Sequence, residues 1–138
     1  MKKLVLEKND TKKLLIFVGV ILFLVYLARE NYRSGTESGS TGHTVTYIVT
    51  EAEHPWPGGA NLTYTNASGG SEQISDAHLP WKLEMNDQES GSIVYISAQL
   101  DSESEHEIHV SILVDGKLLQ HADSTGDYSV ATASGTVQ

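Results

Sequence analysis

Cysteine is absent from the 138 residues, which excludes a disulfide, a zinc-thiolate site and a thiol nucleophile. A domain exported by this chain must therefore hold its fold by packing alone. Basic residues are scarce beyond position 33, where only Lys82 and Lys117 stand against fifteen acids. Residues 1–33, by contrast, carry seven Lys and Arg against Glu7, Asp10 and Glu30. The two segments face different surroundings. A surface as acidic as the second repels phosphate backbones, and no cluster of Lys and Arg with interleaved aromatics is present, so nucleic acid is excluded as a partner. Acidity of this degree suits a high-salt habitat or a basic partner surface. The hydrolytic motifs are missing too: there is no G-x-S-x-G elbow, no H-E-x-x-H pair and no P-loop. His78 and Asp76 flank the corner at Leu79-Pro80-Trp81 without a nucleophile beside them. The chain is expected to be no enzyme, with no catalytic residue and no cofactor.

One long apolar run is present. Residues 14–28, LLIFVGVILFLVYLA, carry no charge and are bounded by Lys12-Lys13 and Arg29-Glu30. A helix needs about 20 residues to cross a hydrocarbon core of ~30 Å. Fifteen are short of that, but snorkelling Lys and Arg stems and an interfacial Tyr26 and Tyr32 extend the reach. A helix apolar on every face would need a larger protein around it than the polar remainder offers. A cleaved secretory signal is the main competitor, yet the exit Val25-Tyr26-Leu27-Ala28-Arg29-Glu30 lacks the small-x-small pattern of a cleavage site. One transmembrane helix is therefore expected within residues 14–33, after a basic tail over 1–13. Five basic residues precede the span and two follow it. The positive-inside rule then puts the N-terminus in the cytoplasm, with the rest beyond the cell membrane, periplasmic or extracellular. Gly19, which allows close helix approach, is a candidate partner contact together with Tyr26 and Tyr32.

Residues 34–42 read SGTESGSTG, a flexible tether spanning roughly 15–18 Å. Beyond it, residues 43–138 show period-2 alternation at short intervals and no useful helical periodicity. Val45, Tyr47 and Val49 share one face; Leu62 and Tyr64 another; then Trp81, Leu83 and Met85; Val94, Ile96, Ala98 and Leu100; and Ile108, Val110, Ile112 and Val114. Asp115-Gly116 is the pair of a type I′ hairpin that returns the chain into residues 118–122. A last strand is expected near residues 128–133. About seven strands at this spacing predict an all-β, immunoglobulin-like antiparallel β-sandwich.

The six histidines invite a metal reading. His106 and His109 are three apart, however, and a strand sends them to opposite faces. Asp101, Glu103, Glu105 and Glu107 lack calcium-loop spacing. No metal site is expected. Trp81 follows Pro80 at a strand start and is expected to plug one end of the core. Trp56, between Pro55 and Pro57 in a loop, is the fourth candidate partner contact.

The ordered patches Val45-Thr46-Tyr47-Ile48-Val49-Thr50, Asn61-Leu62-Thr63-Tyr64, Leu79-Pro80-Trp81-Lys82-Leu83, Ser97-Ala98-Gln99-Leu100 and Ile112-Leu113-Val114-Asp115-Gly116-Lys117 together resemble the MmpS family. That resemblance covers most of residues 13–133 and implies one N-terminal span, a small extracytoplasmic β-sandwich and an accessory role beside an RND-type transporter. The chain departs from the family in its acidity and in lacking the cysteine pair many members carry. The partners expected are an integral membrane protein complex and the lipid bilayer. Two other functions suit the same residues: a structural subunit of a respiratory or photosynthetic complex, and a free-standing extracytoplasmic module that binds a ligand between its sheets. The bulky inward residues Tyr47, Tyr64, Trp81 and Ile96 speak against an internal ligand cavity.

Overall fold

A computed structural model describes residues 42–52 and 58–138. The expected spanning helix and the tether up to residue 41, together with Trp56, lie outside these residues. Among the described residues there are eight strands and no helix: β1 (His43–Glu51), β2 (Ala60–Thr65), β3 (Ser71–Ala77), β4 (Trp81–Gln88), β5 (Ile93–Leu100), β6 (His106–Val114), β7 (Lys117–Gly126) and β8 (Val130–Thr136). They form two antiparallel four-stranded sheets, one in the order β4-β1-β6-β7 and the other β3-β2-β5-β8.

Alternation places the core as expected. Val45, Tyr47 and Val49 of β1 and Ile108, Val110 and Ile112 of β6 are fully buried, opposite Leu62, Tyr64, Val94, Ile96, Ala98 and Leu100 of the second sheet. Burying each large aliphatic side chain contributes about 1.5–3 kcal/mol. Tyr47 fills the centre. Its ring lies 5.9 Å from that of Tyr64, which in turn lies 5.5 Å from Trp81. The Tyr47 hydroxyl donates to the Thr65 carbonyl at 2.9 Å and accepts from the Tyr95 amide at 3.4 Å, so one phenol ties β1 to both β2 and β5. Burial pushes this phenol up to about 12, because the anion would lose its hydration. Trp81 itself is only half-buried and packs on the edge of the core beside Tyr64.

Three expectations need correction. There are eight strands, not seven, because β3 had no visible pattern. It is an edge strand whose side chains face solvent except at Ile74 and Ala77, so no alternation of apolar residues marks it. Second, β7 runs on to Gly126, past Ala122, since its last inward residues, Ser124 and Gly126, are small and carry no apolar signal. Third, the strand order is not that of an immunoglobulin domain. There the first strand lies at a sheet edge, whereas β1 here is central, between β4 and β6.

The edge strands β3 and β4 carry matching irregularities. Each bulges against its partner, and the bulge holds an aspartate at positive φ, Asp76 (58°) on β3 and Asp87 (59°) on β4. In each pair a glycine lies against that aspartate's backbone: a Cβ on Gly59 would come within 2.4 Å of Asp76, and one on Gly42 within 2.4 Å of Asp87. The Gly59 amide also donates to Asp76 Oδ1 at 3.0 Å. Bulges and charges on edge strands oppose edge-to-edge pairing with other chains.

Candidate functional site

Three features stand out on the surface of the β domain. The first is at one end of the first sheet. His43 pairs through Nδ1 with Asp115 Oδ2 at 2.7 Å and through Nε2 with Ser90 Oγ at 3.0 Å. The connectivity is that of a serine-hydrolase triad, but the surroundings do not complete one. The amides that follow Ser90 are committed, Gly91 to the Val137 carbonyl at 2.7 Å and Ser92 to the Glu89 carbonyl at 3.1 Å. They cannot serve as oxyanion donors without breaking those bonds. Asp115 Oδ1 also accepts the Thr44 amide at 2.9 Å. The hydrogen bond from His43, with that from Thr44, holds the Asp115 carboxyl below its ordinary value. The cluster clamps the start of β1 to the Asp-Gly turn, whose two residues both have positive φ, 50° and 76°, as a type I′ hairpin requires.

The second feature lies on the outward face of the first sheet, across β6 and β7. His109 Nδ1 meets Asp123 Oδ1 at 2.6 Å, and His121 Nε2 meets the same oxygen at 2.7 Å. The His121 Nδ1 lies 3.1 Å from Ser111 Oγ. The two imidazoles are stacked, with centroids 6.1 Å apart. His106, three residues from His109, pairs instead with Glu51 at 3.1 Å, so the strand argument separating those two histidines holds. What it missed is His121. A two-residue turn at Asp115-Gly116 with regular pairing would set His121 opposite Val110, on the core face. A bulge after Leu118 shifts the register by one, pairing Ser111 with His121 and His109 with Asp123. That single extra residue, Leu119, turns inward against the core, where its side chain lies over Gly135. It sends His121 outward.

The third feature is the outward face of the second sheet. Gln73, Thr63, Ser97 and Thr132 form one row across all four of its strands. Ser97 Oγ and Thr132 Oγ1 are hydrogen-bonded at 2.9 Å. No residue of β2, β5 or β8 is charged. Ile93 and Val130 stand 71% and 47% exposed on this face. The four partner contacts expected from sequence, Gly19, Tyr26, Tyr32 and Trp56, all lie outside the described residues, and this face was not among them. Its signal in the sequence was available: three uncharged strands in a chain segment where acids outnumber bases fifteen to two.

Two antiparallel sheets with these surfaces make up a β domain in a chain whose first 33 residues are basic and apolar. The chain belongs to the family described as Mycobacterium membrane protein, which matches residues 29–134. This is the MmpS-type family that the residue patches resemble. No curated protein matches the chain.

Proposed function

We propose that this chain is a non-enzymatic, single-pass accessory subunit whose extracytoplasmic β-sandwich binds or stabilises a larger membrane complex, foremost an RND-type transporter. The observation that carries it is the uncharged face of β2, β5 and β8. Interface centres are depleted in charge and enriched in apolar and aromatic groups relative to the remaining surface. In a strongly acidic domain, a continuous sheet face of hydroxyl and amide side chains with Ile93, Tyr95 and Val130 among them suits a partner's surface. It does not suit solvation alone. Membership of a membrane-protein family supports tethering beside an integral complex, and the span over 14–28 would hold the sandwich close to the bilayer.

The test is purification of the full-length chain from membranes in a mild detergent. The expected result is a large integral membrane protein in stoichiometric amount with it, a transporter with several spans. Recovery of the chain alone across a range of mild detergents would count against an accessory role.

A further inference from the structure

We propose that His109, His121 and Asp123 form a binding site for a divalent first-row transition-metal ion on the outward face of the β6–β7 hairpin. One ligand atom from each of the three side chains lies within 4.8 Å of the others. Two imidazole nitrogens and one carboxylate oxygen are the donor set of zinc sites and of two-histidine, one-carboxylate sites, which leave positions open for water or a further ligand. Calcium and magnesium, which prefer oxygen alone, are disfavoured by it.

The arrangement is built rather than incidental. His121 and Asp123 are two apart on one strand and share a face, while His109 lies directly across from Asp123. All three sit on paired strands of one sheet, not on loops. The Ser111 hydroxyl beside His121 Nδ1 is the outer partner that ligating histidines ordinarily have. Without metal, the His121 Nε2–H donates to the Asp123 oxygen at 2.7 Å; once a cation displaces that proton, Nδ1–H can donate to Ser111 and the Nε2 lone pair is left for the ion.

His109 supplies the second, independent observation. Its side chain is 9% exposed, and its Nε2 is buried without a hydrogen-bond partner. A buried unsatisfied polar atom costs about 1–3 kcal/mol, so a valine or threonine would serve packing alone better at this position. A histidine kept there at that cost is explained by what its other nitrogen does.

The present spacings of 2.6 and 2.7 Å are those of N–H groups donating to a carboxylate. Tetrahedral ligands around zinc stand about 3.3 Å apart. Asp123 and His121 have side chains 46% and 36% exposed, so they can make the shift of roughly 0.6–0.7 Å that opens those two contacts to the tetrahedral spacing. The cluster then alternates between protons and a metal ion on the same three atoms.

The experiment uses the full-length chain in detergent, stripped with a chelator and titrated with Zn2+ by calorimetry and with Co2+ by visible absorption. One equivalent should bind, and a large excess of Mg2+ should not displace it. Asp123→Asn and His121→Gln should each weaken binding more than about 100-fold, and Ser111→Ala about tenfold. His106→Gln should change nothing. Both ligand variants are at exposed positions, and their melting without metal reports folding separately; Zn2+ should raise the melting temperature of the wild type and not of the variants. Absence of binding, binding displaced by Mg2+, or binding unaltered by Asp123→Asn and His121→Gln would each overturn the proposal, the last two by assigning the metal to the acidic surface at large.

Discussion

Truncating Tyr47 to alanine is expected to destabilise the β domain by ~3–5 kcal/mol in chemical denaturation, the range for removing a large buried aromatic. The ring is fully buried, contacts Tyr64, and carries the hydroxyl that bonds β2 and β5. Tyr47→Phe separates the two contributions. It keeps the ring and leaves the Thr65 carbonyl and the Tyr95 amide short of one partner, which should cost about 1–2 kcal/mol. The same residue predicts an alkaline limit. In the unfolded chain the phenol titrates near 10, and in the folded chain near 12. Between those values the unfolded state has lost the proton that the folded state retains, so stability falls as pH rises and levels off above the higher value. The loss should total roughly 2–3 kcal/mol. Tyr47→Phe should remove most of this slope. Tyr64 and Tyr128, each raised by a hydrogen bond to a glutamate, leave a residual of the same sign.

Gly59→Ala is expected to cost about 3 kcal/mol, the upper part of the range for forcing atoms into a packed site. The added Cβ would stand 2.4 Å from the Asp76 carbonyl carbon and from its Oδ1. Backbone cannot rotate away as a flexible side chain would, so the β3 bulge must open and the hydrogen bond from the Gly59 amide to Asp76 Oδ1 is lost. Gly70→Ala serves as the control. The nearest atoms to a Cβ there belong to the Asn66 side chain, at 3.4 Å or more, and the substitution should be tolerated. Equal losses at both glycines, read from denaturation midpoints, would show that the bulge contact is not what restricts position 59.

How far the sequence revealed this molecule depends on whether a residue's neighbours are apolar. The core strands β1, β5 and β6 were legible because Val45, Tyr47 and Val49, Val94 to Leu100, and Ile108 to Ile112 alternate against polar partners and bury one face. The Asp-Gly turn was legible because both positions need positive φ, which few residues adopt. The edge strand β3 and the end of β7 were not, since Ser, Gln, Asp and Gly in a half-solvated strand look like loop. The histidine cluster was hidden for a different reason. Which face His121 takes depends on the bulge at Leu119, and no local pattern distinguishes a leucine that turns inward at a bulge from one that alternates. Leu118 and Leu119 are adjacent, so either could have been the inward residue. A register shift of one residue reverses every side chain beyond it. The choice is made by tertiary packing: Leu119 fits over Gly135, where a side chain on β8 would have blocked it.

Placing a charge at the centre of the uncharged sheet face tests the account most directly. Ser97→Lys with Thr132→Lys would put two ammonium groups on neighbouring central positions, replacing hydroxyls that bond each other at 2.9 Å and point away from the core. Folding should survive, because neither side chain is inward. The full-length variant should reach the membrane and melt near the wild-type temperature, yet its yield of co-purifying membrane protein should fall at least tenfold, a loss of about 1.4 kcal/mol in association. A variant that folds and retains its partner at wild-type yield would contradict the account, and would move the contact off this face.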